Sequence, residues 1–485
     1  MTPDRRRWLV LLVLCLGNLM TVLDTTIVNV ALPSIREDLA FSDTSLAWVV
    51  NAYLLTFGGL LLLGGRLGDL FGHRRLFLIG LTVFTAASLA CGLATSAELL
   101  VGARAVQGVG GAFLTVVALS LSMTLFVEPA ARAKAMGIIG FVVASGGSTG
   151  VFLGGFLTDV LDWHWIFLVN VPVGIAVGVL AAVLIPAGGA QMASRHLDVA
   201  GSVTATASVM LAVYAIVNGN EVGWTSGRTL GMLIAAAALL ALFLRVEARA
   251  ASPLLPLGLF RLRNVATANA IAVLSAAALF AWFFLSALYL GLVLGYTPLQ
   301  VGLAFLPANL IMGAFSLGLS DKLVLRFGIR PPLVAGLMLF AAGLTLFARV
   351  PVDGSFVIDV LPAMLTLGLG MGMMFNPLLL AAMSDVESNR AGLASGVVNT
   401  SFMMGGALGL AVLASLAGAR TNNLLSAGLD PLVAFTGGYQ VAFAVGAAFA
   451  VAAVVLGATL LRPNTPVPTP RAQERVDASA GPGIG

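Results

Sequence analysis

Apolar runs of roughly 18–25 residues, broken by short polar segments, recur along this chain from Leu9 to Leu461. Each is long enough to cross a hydrocarbon layer about 30 Å thick as an α-helix. Membrane-spanning strands would alternate apolar and polar residues in segments of about ten, and this sequence does not. Of its 485 residues, 59% are hydrophobic and 9% charged, too little polar surface to wrap a water-soluble core of this size. The sequence therefore predicts an all-α membrane protein with fourteen spans. They fall near 9–33, 46–64, 76–95, 98–125, 133–157, 166–186, 198–217, 228–247, 265–294, 300–320, 331–349, 358–383, 391–418 and 438–461. Arg5 to Arg7 ahead of the first run mimic a secretory leader, but no small-residue cleavage pattern follows before Asp24, so the run reads as a retained helix. The tail from Arg462, rich in Pro, Ala and Gly without periodicity, reads as disordered.

Basic residues test this count, because positively charged loops stay cytoplasmic and a miscounted span would scramble the alternation. With the N-terminus inside, every lysine and arginine except Arg36, Arg104, Arg228, Arg349 and Arg420 falls in a cytoplasmic segment. Both termini are thereby expected in the cytoplasm. The net charge of +4 is spread through these short loops rather than gathered in a patch, so it is topogenic and no nucleic-acid partner is expected. Cys15 and Cys91 both sit in apolar runs, and His73, His164 and His196 lie far apart in loops, so neither a disulfide framework nor a metal centre is expected.

The segment 65–75, GRLGDLFGHRR, has a weaker echo at 321–330, DKLVLRFGIR. Internal duplication of this kind is common in secondary transporters. It divides the chain into an N-terminal six-helix bundle at 1–186, an inserted pair with its linkers at 187–264, a C-terminal six-helix bundle at 265–461 and the tail 462–485.

Asp24 is the one carboxylate placed well inside a span, and an ionisable group there is a functional candidate by default. Counting ~1.5 Å per residue from Leu9 puts it ~22 Å into the bilayer core, in the outer half. Arg104 lies ~9 Å below the outer start of the fourth helix, so the depths match and the two can face one another. An arginine there favours the ionised carboxylate until substrate or rearrangement separates them. A structural ion pair locking two helices is the plainer alternative. In the fifth helix, Gly146, Gly150 and Gly154 share a face that a neighbouring backbone can approach closely. Neither Lys134 nor Lys322 follows a glycine-rich phosphate loop, which leaves an ion gradient rather than ATP as the energy source and no cofactor.

The string GRLGDLFGHRR resembles the loop between helices 2 and 3 of the major facilitator superfamily. Further stretches, among them 23-LDTTIVNVALP-33, 104-RAVQGVGGA-112, 165-WIFLVNVPVG-174 and 392-GLASGVVNT-400, are similar to its fourteen-helix drug:proton antiporters. The resemblance implies the major facilitator fold, proton coupling through Asp24 and Arg104, and a cytoplasmic latch made by Gly65, Asp69, Gly72, Arg74 and Arg75, with Arg390 as a candidate partner. Leu325 stands where the second copy would carry the acid. Gly146, Gly150, Gly154 and Gly155 match the antiporter motif of the fifth helix, but Val151 replaces its usual proline, which puts a bend there in doubt. Polar residues within spans, Asn51, Tyr53, Gln107, Asn309, Asn376 and Asn399, are candidate cargo contacts. The Met-rich run 371–377 reads either as an adaptable wall or, the favoured reading, as lipid-facing filler. The expectation is a monomer in a bacterial cytoplasmic membrane exporting lipophilic, cationic or aromatic small molecules in exchange for protons. A lipid or natural-product exporter of the same fold is the alternative, and a membrane-embedded enzyme or passive binding protein would need a polar catalytic cluster or a large soluble domain, neither of which the sequence shows.

Overall fold

The computed structural model describes residues 3–42, 44–126, 128–185, 199–249, 255, 257–315, 319–386 and 391–462. Among them the regular structure is helical: α1 (Pro3–Asp38), α2 (Ala47–Phe71), α3 (His73–Gly92), α4 (Ala97–Leu125), α5 (Pro129–Val160), the short α6 (Trp165–Leu168), α7 (Asn170–Leu184), α8 (Val199–Val222), α9 (Gly227–Arg249), α10 (Arg263–Leu288), α11 (Pro298–Ala314), the short α12 (Ser320–Phe327), α13 (Arg330–Phe347), α14 (Leu361–Met383), α15 (Ala391–Ser426) and α16 (Pro431–Leu460). Only helices satisfy their own backbone groups without water, which is why an apolar chain of this length resolves into them. Twelve helices are long and apolar enough to cross a membrane, and the apolar helical stretches Thr149–Val160 and Pro298–Ala314 are shorter. The linker 187–198 and the tail beyond Arg462 lie outside the described residues.

The echo in the sequence is an echo in geometry. Gly72 and Gly328, both at positive φ (91° and 80°), end α2 and α12 and let the chain turn into α3 and α13. Just beyond each turn an arginine reaches a helix end: Arg74 donates to the Ala182 carbonyl near the end of α7, and Arg330 donates to the Ala458 carbonyl near the end of α16. Arg6 on Leu184 O at 3.2 Å and Arg263 on Thr459 O at 3.1 Å complete the two caps. Four cations thus sit at the negative ends of two helix dipoles and satisfy carbonyls left over there.

Deeper in, α4 packs on α3 through Gly110, where a Cβ would lie 2.5 Å from the Phe84 amide nitrogen and 2.7 Å from the Gly80 carbonyl oxygen. Between α14 and α13 the same contact recurs, with Gly370 2.6 Å from the Phe340 nitrogen and 2.7 Å from the Gly336 oxygen by the same measure. Gly146, Gly150 and Gly154 all face α1, where a Cβ would lie 2.9 Å from Val22, 3.1 Å from Leu23 O and 2.6 Å from Ile27 O. The shared face read from their spacing is therefore the α1 contact. Helix α5 runs unbroken through Val151, which is buried. Gly155 turns the other way, onto Pro298 of α11.

Helix α8 lies across the seam between α2 and α15. Thr206 packs on Gly59 of α2, and the Tyr214 ring is 6.3 Å from that of Trp48. On the α15 side, Asn220 donates to Ser415 O at 2.7 Å, and the Ser415 hydroxyl donates to Ile216 O at 3.3 Å. Gly110→Leu and Gly370→Leu should each destabilise the protein, overpacking in a tight contact costing about 1–3 kcal/mol. An unchanged thermal midpoint in detergent for either would show that these close approaches do not hold the helices together.

Candidate functional site

Helices α1, α3, α4 and α7 converge on one cluster of buried polar groups. Asp24 is 0% exposed and Arg104 1% exposed. The Arg104 guanidinium pairs with Asp24 Oδ2, and Gln107 Nε2 donates to Asp24 Oδ1 at 2.7 Å, so both carboxylate oxygens are engaged. Arg104 also donates to Val49 O of α2 at 2.9 Å and to Gln107 Oε1 at 2.8 Å. Its guanidinium carbon sits 4.4 Å from the Tyr53 ring centre and 5.6 Å from that of Phe167. Aromatic faces attract a desolvated cation, by about 2 kcal/mol or more in such surroundings.

Gln107 extends the cluster. Its Nε2 also donates to Ser88 Oγ at 3.1 Å, and Ser88 in turn accepts from Asn170 Nδ2 at 3.1 Å and donates to Phe167 O at 3.0 Å. Cys91 Sγ lies 3.7 Å from Gln107 Oε1. A chain of hydrogen bonds therefore runs from Asp24 through Gln107 and Ser88 to Asn170, tying four helices together. Gln107 and Tyr53, candidates for cargo contact in the sequence, are part of this cluster, and Gln107 is fully buried with both ends of its amide in use. Ser88 and Asn170 were not singled out from the sequence. Gln107, three residues after Arg104 and so on the same helical face, carried the signal that leads to them.

The other candidate contacts do not gather with these. Asn51 is fully buried with neither amide atom bonded, and Asn309 is buried with its amide nitrogen unbonded. Asn399 is half-buried and donates to Ser395 O of its own helix at 2.9 Å, while Asn376 is half-buried. Met371 and Met374 are core residues, Met374 packing against Gly336, so the Met-rich run is not lipid-facing filler as the sequence suggested. In the loop between α2 and α3, Gly65 is half-buried, Arg75 is exposed, and Arg74 is spent on the α7 end. His73 bonds Ser120 at 2.7 Å. The Asp69 side chain and Arg390, which the latch would need, lie outside the described residues.

Arg104→Met should strand a buried carboxylate and cost about 3–5 kcal/mol, whereas Asp24→Leu with Arg104→Met replaces the pair by apolar groups and recovers much of that loss. Thermal midpoints of the purified variants test the order. A double variant no more stable than the single one would mean that the pair's charges do not compensate one another.

Comparison with known proteins places the chain in a family. The model of the Major Facilitator Superfamily matches residues 14–410. The puromycin resistance protein pur8 of Streptomyces alboniger is 39% identical over 464 residues, covering 94% of this chain and 91% of that protein. The cephamycin export protein CmcT of Amycolatopsis lactamdurans is 40% identical over 415 residues, 85% of each. The lincomycin resistance protein of Streptomyces lincolnensis is 36% identical over 478 residues, covering 97% of this chain and 95% of that one. Among solved structures, a bacterial homologue of the human lysosomal transporter Spinster, in an inward-facing and occupied conformation, superposes with a TM-score of 0.68 at 16% identity. It covers 96% of this chain and all of that one. The nucleoside transporter NupG gives 0.63 at 13% identity, over 94% of this chain and all of that one. The chain is a multi-pass membrane protein of the Major Facilitator Superfamily, a transporter and not an enzyme.

Proposed function

We propose that this transporter exports drugs or natural products in exchange for protons, with Asp24 as the proton site and Arg104 as its modulator. The observation that carries the reading is the sealed cluster around Asp24. A carboxylate that must bind a proton on one side and release it on the other has to be occluded in between, and Asp24 is fully buried here. Protonating it removes the negative partner of Arg104. The guanidinium keeps Val49 O, Gln107 Oε1 and the Tyr53 and Phe167 rings, so the cation remains held while the α1 to α4 ion pair is released.

The fourteen-span reading adds α5 and α11 to the twelve long helices, with both termini in the cytoplasm of a bacterial cell, a monomer as working unit and the gradient in place of any cofactor. The bundles at 1–186 and 265–461 rock against each other, with the pair at 187–264 beside them. Alternating access is supported by one set of contacts between these bundles, which also touch at Gly58 and Met403 and at Leu62 and Gly396. Pro33 against Gly291, Gly155 against Pro298 and the Arg36 guanidinium 5.3 Å from the Phe435 ring centre all lie at the end away from the termini. With cytoplasmic termini, that is an outer gate in its closed state.

Export rather than uptake is supported by the relatives named for puromycin and lincomycin resistance and for cephamycin export. A narrower reading, an exporter of one natural product, is favoured by that last name and by the probable actinorhodin transporter of Streptomyces coelicolor, 35% identical over 426 residues. Efflux of labelled puromycin and of a lipophilic cation from cells, with and without a protonophore, tests both. Protonophore-sensitive efflux is expected, and Asp24→Asn should abolish it while the protein still folds and inserts. Uphill efflux at the wild-type rate in Asp24→Asn would remove Asp24 from the proton path. Asp69→Asn should slow turnover with cargo affinity unchanged if the loop acts as a latch, and an unaltered turnover counts against it.

A further inference from the structure

Three phenylalanines from three helices meet in the second half of the chain. The rings of Phe280 on α10 and Phe402 on α15 are 6.0 Å apart at 63°, and those of Phe402 and Phe375 on α14 are 5.9 Å apart at 86°. Phe402 is nearly buried, whereas Phe375 is 38% exposed. At 100° per residue, the faces of α14 can be assigned. Gly368 and Gly372 pack on Ala308 and Met312 of α11 and on Phe315 just beyond its end, and Gly370 and Met374 pack on α13. The exposed Leu365 and Leu380 mark a lipid-facing side. Phe375 lies well away from that side, between the α11 contact and the buried Met371, so its exposed ring faces inward. The flanks of this shelf are where the halves of the chain meet: Met403, next to Phe402, packs on Gly58 of α2, and Met312 reaches Gly147 of α5.

The shelf is uncharged. Helices α11 and α14 contain no Asp, Glu, Lys or Arg, α10 contains only Arg263 at its start, and α15 contains only Arg420, about five turns beyond Phe402 by ~3.6 residues per turn. Across the molecule, Asp24 is not available as counter-ion for a cationic cargo in this arrangement, because it is fully buried and its charge is already paired with Arg104.

We propose that Phe280, Phe375 and Phe402 form the cargo-binding shelf of this transporter, that it takes planar aromatic molecules by edge and face stacking, and that a positive charge on the cargo is not required. The proposal rests on the export reading above and narrows its cargo from cationic or aromatic to aromatic with charge optional.

A matched pair of probes tests it: phenanthridine, which is neutral, and its N-ethyl quaternary salt, which has the same ring system and one positive charge. Equilibrium binding to the purified full-length protein, followed by probe fluorescence, does not depend on transport. The two dissociation constants are expected within about threefold of each other, and Phe375→Ala should weaken both about 3- to 10-fold, the range of one lost aromatic pair. Phe375→Trp should retain binding, and the exposure of Phe375 means that neither change should disturb folding. Equal binding by wild type and Phe375→Ala, or no binding of either probe by wild type, overturns the shelf. Binding of the cation more than tenfold tighter than the neutral probe overturns charge independence. If wild type binds both probes and exports neither, the shelf stands and the export reading fails. In proteoliposome efflux the substitution should raise KM with kcat unchanged, and a fall in kcat at constant KM counts against a cargo contact.

Discussion

Inside a bilayer, helices gain nothing by hiding apolar surface from one another, since lipid is as apolar as leucine, so association depends on how closely their backbones can pack. This chain meets that requirement with glycine at each main crossing: Gly110 on α3, Gly370 on α13, the Gly146, Gly150 and Gly154 row on α1, and Gly409 against Ala277 of α10. Everything else is positioned by these contacts. Helix α4 presents Arg104 to α1 because Gly110, two turns further along by ~3.6 residues per turn, fixes how α4 lies on α3. The polar cluster is affordable in lipid only because the same packing excludes any competitor for its hydrogen bonds.

The duplicated geometry makes the asymmetry of the chemistry visible. Matching Gly110 with Gly370 sets Arg104 opposite Met364 and Gln107 opposite Leu367, both fully buried apolar residues. One half carries a charged, hydrogen-bonded interior, and the other carries aromatic and thioether side chains at the corresponding depth. The division of labour proposed above, a proton on the first side and an apolar ring on the second, fits what each interior can stabilise. Neither would do the other's work, because a charge placed among Met364, Leu367 and Phe340 would have no partner.

Much of this was legible in the sequence and the limits are physical. Run length and the alternation of lysine and arginine place the helices because bilayer thickness and charge translocation act on sequence directly. The helices nonetheless outrun the spans: α1 covers Pro3–Asp38 where the apolar run suggests 9–33, and α16 begins at Pro431 rather than near 438. A helix continues past the hydrocarbon as long as nothing breaks it. The pairing of Asp24 with Arg104 was reachable from depth alone. Ser88 and Asn170 were not, since depth says nothing about which way a helix is rotated. Arg74 and Arg330 were equally hidden, because their acceptors are backbone carbonyls, which leave no trace in residue identity. The Met-rich run misled for the same reason as Ser88: composition cannot tell a core-facing methionine from one in lipid.

Helix α8 makes the two seams of the molecule unequal. Between α5 and α11, Gly155 packs directly on Pro298, and among the described residues no third helix backs that seam as α8 backs the other. Between α2 and α15 the outside is a third helix, bonded to α15 through Asn220 and Ser415 and packed on α2 through Thr206 against Gly59 and Tyr214 against Trp48. Any separation of α2 from α15 would have to repack α8 against one of them. The molecule therefore has one seam backed by a third helix and one without such backing, although its two halves share one design.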